Sequence, residues 1–218
     1  MKTPVIWRRG LERRVSMCNV VAGHPRVACA DAVGDDRNML IAMAGLPGSG
    51  KSTLAGQIAR ALRCSLLSVD PIEAAMWRAA VAREQPTGLA AYVIAEDLAR
   101  EQMILGLDVV IDAVNDAEAA RDQWKALAAE LGEPLAFVEV FCSDEMEHRR
   151  RLTERRRDIV GFPEPTWDSV VERRAAFGEW TGARLRLDSM LSQDENVATA
   201  LAHIASVKMR DSSSGRAF

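Results

Sequence analysis

Cysteine is scarce and unpatterned in this sequence. The four present, Cys18, Cys29, Cys64 and Cys142, form no C-x-x-C pair. That excludes the usual zinc spacings and a dense disulfide framework. Cys64 and Cys142 stand in apolar stretches and are expected to be buried thiols, which suits a reducing, cytoplasmic compartment. Long apolar runs are missing too: none approaches the roughly 18 residues that a membrane span needs. The N-terminus is basic (Arg8, Arg9, Arg13, Arg14), but Ser16 and Asn19 interrupt the stretch that follows and make it a poor signal-peptide core. An organelle-targeting peptide stays open. Large net charge is absent as well. At −3 overall, nothing global attracts nucleic acid or an anionic membrane surface.

What is present is ordinary for a soluble globular chain: 48% hydrophobic and 27% charged residues in 218. That length supports one α/β domain with a sizeable core. Residues 1–38 lack periodicity and end in the polar cluster Gly34-Asp35-Asp36-Arg37-Asn38. They are expected to be a disordered extension, with Met39 an alternative natural start. Residues 206–218 read as a flexible tail.

Between these ends, 39–205, strand and helix patterns alternate. Strands are expected at 39–44, 65–69, 109–113, Leu135–Phe141 and 184–187. Helices are expected at Lys51–Leu62, 72–81, 87–105, Glu118–Leu131, from about 144, at 166–177 and at 195–207. In the helix 87–105, Leu89, Val93, Ile94, Leu98 and Leu105 are taken as its apolar face. Strands separated by helices imply right-handed crossovers and a mostly parallel sheet covered on both sides. Ligands then gather at the carboxyl ends of the strands, where Gly45, Asp70, Asp112 and Ser143 should converge.

The strongest motif is Gly45-Leu46-Pro47-Gly48-Ser49-Gly50-Lys51-Ser52-Thr53, a full G-x-x-x-x-G-K-[ST] between an apolar strand and a helix. Its glycines let the backbone curl around phosphate oxygens, and the helix N-terminus adds a positive end. Residues 45–53, including Pro47, Gly48, Ser49, Gly50 and Thr53, are thus expected to bind ATP. Lys51 should reach the β- and γ-phosphates, and the Ser52 hydroxyl should ligate Mg²⁺.

Asp70 is expected at the end of the second strand, as a base for an attacking hydroxyl, as a cap for a helix starting at Pro71, or as both. Asp112 closes the third strand and would either hold a magnesium-bound water or orient substrate. Asn115 and Asp116 either touch substrate or cap the next helix, the latter favoured for Asp116. Residues 148–157 hold six arginines in ten positions. Arg151 and Arg155, four apart, share a helix face, with Arg150 and Arg157 as alternatives. The cluster reads as a phosphate-contacting lid (about 144–165, with Gly161, Pro163 and Pro165 as a hinge). The competing reading is a solvated face paired with Glu145, Glu147 and Glu154. A nucleic-acid patch is weakened by the lack of interleaved aromatics. Trp167, Phe177 and Trp180 are expected in the core or between lid and body. The acceptor pocket is expected to be lined by 72–83 and the loop 84–88, with Met76, Trp77 and Arg78 its foremost candidates.

The phosphate loop together with Ser68-Val69-Asp70-Pro71-Ile72-Glu73-Ala74 resembles the small P-loop kinases of the AAA_33 group. These are the chloramphenicol phosphotransferase-like and polynucleotide-kinase-like proteins, with gluconate kinase and zeta toxin more distant. The resemblance implies a three-layer α/β/α P-loop NTPase fold with a five-stranded sheet in the order 2-3-1-4-5 and a helical lid. It implies Asp70 as general base and the 148–157 arginines as the lid, and it sets Asp188 and Ser189 beside adenine. Asp112 lacks the second acid of ATPases, which favours transfer to a bound hydroxyl over hydrolysis. The expected activity is an ATP- and Mg²⁺-dependent kinase acting on a small-molecule hydroxyl, with Lys51, Asp70, Arg151 and Arg155 catalytic. A polynucleotide 5′-hydroxyl kinase and a nucleotide-dependent binding switch are the alternatives. No membrane partner is expected, and oligomeric state is left open.

Overall fold

The computed structural model describes residues 37–154 and 164–214. The elements run β1 (Leu40–Ala44), α1 (Lys51–Leu62), β2 (Ser65–Ser68), α2 (Val69–Arg78), α3 (Thr87–Ile104), β3 (Val109–Asp112), α4 (Glu118–Leu131), β4 (Leu135–Phe141), α5 (Glu145–Glu154), α6 (Trp167–Gly178), β5 (Leu185–Asp188) and α7 (Gln193–Ser214). The five strands form one sheet in the order β2-β3-β1-β4-β5, with every pairing parallel. This is the P-loop kinase sheet order expected above.

β1 explains why the sheet needs two helical layers. All five of its residues are buried, and alternation sends them to opposite faces. Leu40, Ala42 and Ala44 join Val109, Ile111, Trp124, Phe137, Phe177 and Trp180 in one core. Met39, Ile41 and Met43 join Leu54, Ile58, Val110, Val138, Ala200 and Ile204 in the other. A strand covered on both sides reads as an unbroken apolar run, and each such fully buried aliphatic side chain contributes roughly 1.5–3 kcal/mol. Phe177 and Trp180 are therefore core residues. Trp167 is only partly buried.

Several boundaries differ from the sequence expectation. β2 ends at Ser68, so Asp70 lies in the first turn of α2, and Ser68 rather than Asp70 occupies the cap position, without a side-chain cap bond. Pro71 is accommodated there because the first-turn amides have no intrahelical partner to lose. α4 keeps its expected bounds, Glu118–Leu131, but Ala117 and not Asp116 occupies its cap position. α7 continues to Ser214, past the expected end at Val207. Cys64 and Cys142 are half-buried, not enclosed.

The larger correction concerns α3. Its buried positions are Thr87, Ala91, Ala95, Ala99 and Met103, spaced four apart. Leu89, Val93, Ile94, Leu98 and Leu105 stand on its exposed side, Val93 at 48% exposure and Leu105 at 73%. α3 touches α2, α4, β2 and β3 at once. Such crowding admits methyl groups on the inner face and leaves no room for leucines.

Residues 155–163, and with them Arg155, Arg157, Gly161 and Pro163, lie outside the described residues, as do 1–36 and 215–218. No helix among the described residues is long and apolar enough to cross a membrane.

Candidate active site

The parallel strands point their carboxyl ends to one rim, and the loop 45–53 closes the end of β1. Its shape demands glycine at two places. Gly45 has φ +149°, and a Cβ there would lie 2.4 Å from the Val140 carbonyl oxygen; at Gly48, φ is +82° and a Cβ would press on His148 and Leu152 at 3.3 Å. Only glycine adopts the first geometry without strain or clash. The amide of Gly45 donates to the Val114 carbonyl at 3.0 Å, which ties the loop to the end of β3. α1 starts at Lys51, so its unpaired first-turn amides adjoin the loop. A cavity of about 360 Å³ is lined by every residue from Leu46 to Thr53, together with Asp70, Val114, Arg151 and Glu154. The Ser49 Oγ beside it is buried and has no hydrogen-bond partner among the described residues, as a site built for an oxygen-rich ligand would leave it.

Lys51, which lines this cavity, forms an ion pair with Asp112, which does not line it; both side chains are about nine-tenths buried. The register places Asp112 beside Met43 on β1 and Ser68 on β2. Ser68 Oγ lies 3.5 Å from the second Asp112 oxygen. Asp112 and the Ser52 hydroxyl are hard oxygen donors of the kind magnesium takes, with phosphates and water supplying the remaining ligands. Among the described residues no group of three or more His, Cys, Asp or Glu gathers as a metal site of its own.

Asp70 lines the phosphate-loop cavity and also a second one. The second, about 460 Å³, shares Pro47, Asp70 and Val114 with the first, and extends past Glu73, Gly88, Tyr92 and Asp116 to Arg173 on α6. Of the expected stretch 72–83 only Glu73 lines this cavity, joined by Val69 and Asp70 before it and by Gly88 of the loop 84–88. Met76 packs against the core. Trp77 donates to Thr87 Oγ1 at 3.0 Å and lies under the Arg83 guanidinium. Neither of these nor Arg78 lines the cavity. Asn115 is fully buried, with φ +53°. It donates to the Met43 carbonyl at 2.7 Å and accepts from the Trp124 indole at 2.9 Å, so it braces the turn after β3 instead of facing substrate. Asp116 stands just outside α4, accepting from the Ala117 amide at 3.0 Å.

The arginine-rich helix α5 divides its labour. Arg150 is exposed and paired with Glu147 and Glu154, the solvated-face role. Arg151 pairs with Glu147 at 2.7 Å and donates to Ser189 Oγ at 2.8 Å. It lines the phosphate-loop cavity and also a third, of about 340 Å³, bounded by Gly50, Thr53, Ser189, Leu191, Gln193 and Asn196. Ser189 thus borders a space continuous with the phosphate loop. Asp188 instead accepts from the amides of Ser143 at 3.1 Å and Met190 at 3.0 Å. Burial alone would raise its carboxyl, but these bonds and the Arg151 charge outweigh burial and lower it.

Among the residues that escaped sequence reasoning is a histidine. His148, on the first turns of α5, is buried, and its Nε2 lies 2.8 Å from the Pro47 carbonyl. Its ring packs edge-on against Trp167 at 5.4 Å. Burial lowers its pKa, with Arg174 and Arg151 adding to that. Neutral His148 therefore donates to the phosphate loop. Its place at the head of an arginine run hid it.

The AAA_33 family, an AAA domain, matches residues 40–177. No curated protein matches the sequence. Among solved structures, a gluconokinase from Sinorhizobium meliloti 1021 is similar with TM-score 0.58 and 16% identity, over 80% of this chain and 95% of that one. The Mycobacterium tuberculosis APS kinase CysC, in complex with AMPPNP and APS, gives TM-score 0.56 and 18% identity over 76% and 96%. Chaetomium thermophilum Kti12 in complex with ADP-AlF3 gives 0.54 and 20% over 76% and 98%. At these identities the likeness is one of fold, the P-loop kinase fold. With the family match spanning most of the chain, from β1 through α6, the protein belongs to the AAA_33 family of P-loop proteins.

Proposed function

We propose that this chain transfers the γ-phosphoryl group of ATP to a hydroxyl of a small molecule. The observation that carries the assignment is the position of Asp70 on the wall common to the phosphate-loop cavity and a second cavity. A donor held on one side and an acceptor on the other would meet at this carboxylate. The acceptor oxygen forms a bond to γ-phosphorus, the bond from phosphorus to the β,γ-bridging oxygen breaks, ADP leaves, and the hydroxyl proton goes to Asp70.

The rest of the site would serve positioning and charge neutralisation, which dominate phosphoryl transfer. Residues 45–53 cradle the triphosphate. Lys51 exchanges its Asp112 partner for phosphate oxygens. Ser52 and Asp112 would hold Mg²⁺, which when bound neutralises phosphate charge. Arg151 reaches the same cavity and serves the transferring group. Arg155 joins it on the strength of its spacing. The half-buried free thiols of Cys64 and Cys142 suit a cytoplasmic setting. A binding switch without transfer would have no use for a second cavity behind Asp70.

Replacing Asp70 by Asn keeps the shape and removes the base. Phosphorylated product should form about 10²–10⁴-fold more slowly, while nucleotide affinity stays near its original value. Labelled-phosphate transfer across hydroxyl-bearing metabolites measures it, and undiminished turnover would remove Asp70 from the chemistry.

A further inference from the structure

A further cavity, of about 430 Å³, opens on the β4–β5 side of the phosphate loop, whereas Asp70 follows β2 on the other side. The loop, the end of β4, β5, the first turns of α5 and the last turns of α6 wall it. Each of the two helices contributes the end that does not adjoin residues 155–163. Alternation puts Glu139 and Phe141 of β4 on the sheet face that carries Phe137, Phe177 and Trp180. The space beside Ser189 and Asn196 belongs to the opposite face, with α1 and α7, so the two are separate.

Hydrogen-bond type decides what this cavity can hold. Glu139 is only 4% exposed. Arg184 and Arg186 both meet its Oε2, Arg186 at 3.2 Å. Arg184 is held in turn by the Trp180 carbonyl at 2.7 Å and by the Trp180 ring, and Arg186 lies over the Phe141 ring. The carboxylate is thereby fixed, and its Oε1 receives no hydrogen bond among the described residues. His148 also lines the cavity. A carbonyl only accepts, so His148 donates to Pro47 from Nε2 and keeps a lone pair on Nδ1, to which nothing donates among the described residues. The unpartnered Ser49 Oγ borders this cavity as well as the phosphate-loop one. Three buried side chains on one wall thus keep open acceptor atoms, beside the apolar side chains of Leu46, Phe141 and Phe177. Buried acceptors without donors are costly, and a ligand that brings donors on an apolar body relieves that cost.

We propose that this cavity binds a neutral heteroaromatic amine, the chemistry of an amino-bearing nucleobase, with its amino group donating to Glu139 Oε1 and its ring against the aromatic wall. An ammonium group would approach a carboxylate that two guanidiniums already hold. An oxo group would set an acceptor against an acceptor. The site goes beyond the phosphoryl-transfer assignment and does not depend on it.

The test is equilibrium dialysis of labelled free bases against the full-length protein, with Mg²⁺ and excess AMPPNP filling the nucleotide site. Cytosine and adenine should bind about tenfold or more tightly than uracil and hypoxanthine, in which an oxo group replaces the amino group, as expected for a hydrogen bond to a charged acceptor. Cys142 lines the cavity and Cys64 does not. Bound amino bases should therefore slow alkylation of Cys142, read at its own peptide by mass spectrometry, and leave Cys64 unaffected. Glu139→Gln can turn its carbonyl to the two guanidiniums and its NH₂ to the cavity, so it should shift the preference toward uracil and hypoxanthine. If that variant folds poorly, protection of Cys142 in the wild type decides. Absent binding, equal affinity for amino and oxo bases, or binding that leaves Cys142 alkylation unchanged overturns the proposal. An amino preference that persists in Glu139→Gln overturns it as well.

Discussion

His148 links the arginine helix to the phosphate loop through one hydrogen bond to the Pro47 carbonyl. Because burial lowers its pKa below the ordinary 6.5, the unfolded chain takes up its proton first as pH falls. Stability from this residue is therefore complete above 6.5 and lost as pH drops toward the folded-state value. His203 is lowered in the same direction, by burial and by Arg210, so only a difference between proteins isolates His148. Thermal midpoints of wild type and His148→Gln, followed from neutral to acidic pH, should converge as the imidazole protonates. His148→Ala should cost about 1–3 kcal/mol at neutral pH, measured by denaturant unfolding. Residue identities at the phosphate loop were readable beforehand because the chemistry dictates both type and spacing. His148 and Arg173 were not, since each matters through a neighbour distant in sequence.

α3 shows where periodicity misleads. The helix was legible to within one residue at its end, but the leucines and valine taken for its inner face look outward and a column of alanines looks in. Hydrophobicity ranks leucine above alanine. Close approach of α3 to two strands and two helices ranks them the other way. Ala95→Leu should destabilise by about 1–3 kcal/mol through overpacking. Val93→Gln, on the exposed side, should stay within about ±0.5 kcal/mol. Denaturant midpoints of the two variants decide the register, and reversal of this order would restore the leucine face. The three-residue shift at the start of α2 has a similar origin. A helix boundary depends on backbone hydrogen bonds that composition does not encode, and here it moved Asp70 from a strand end into a first helical turn.

Across the molecule, the loop 45–53, Lys51, Asp70 and Arg151 come together only because three strands and α5 end at one rim. Binding there is coupled to stability of the whole domain. Mg·ATP at about 100 times its dissociation constant should stabilise the fold by about 2.7 kcal/mol, a rise of roughly 5–10 °C in thermal midpoint for a chain of this size. Lys51→Ala should abolish most of that rise. A midpoint insensitive to Mg·ATP in the wild type would remove nucleotide binding from this account.

The amino-acid order alone was sufficient for the sheet's apolar strands, their alternation with helices and the phosphate-binding loop. Those features are written in local pattern: runs, periods and a glycine-lysine spacing with one chemical use. Folding in three dimensions added the second cavity behind Asp70, the alanine face of α3 and the bond from His148 to Pro47. Each of these unites residues many positions apart, and their meeting depends on how helices crowd against a parallel sheet, a property of packing that no short stretch of sequence carries.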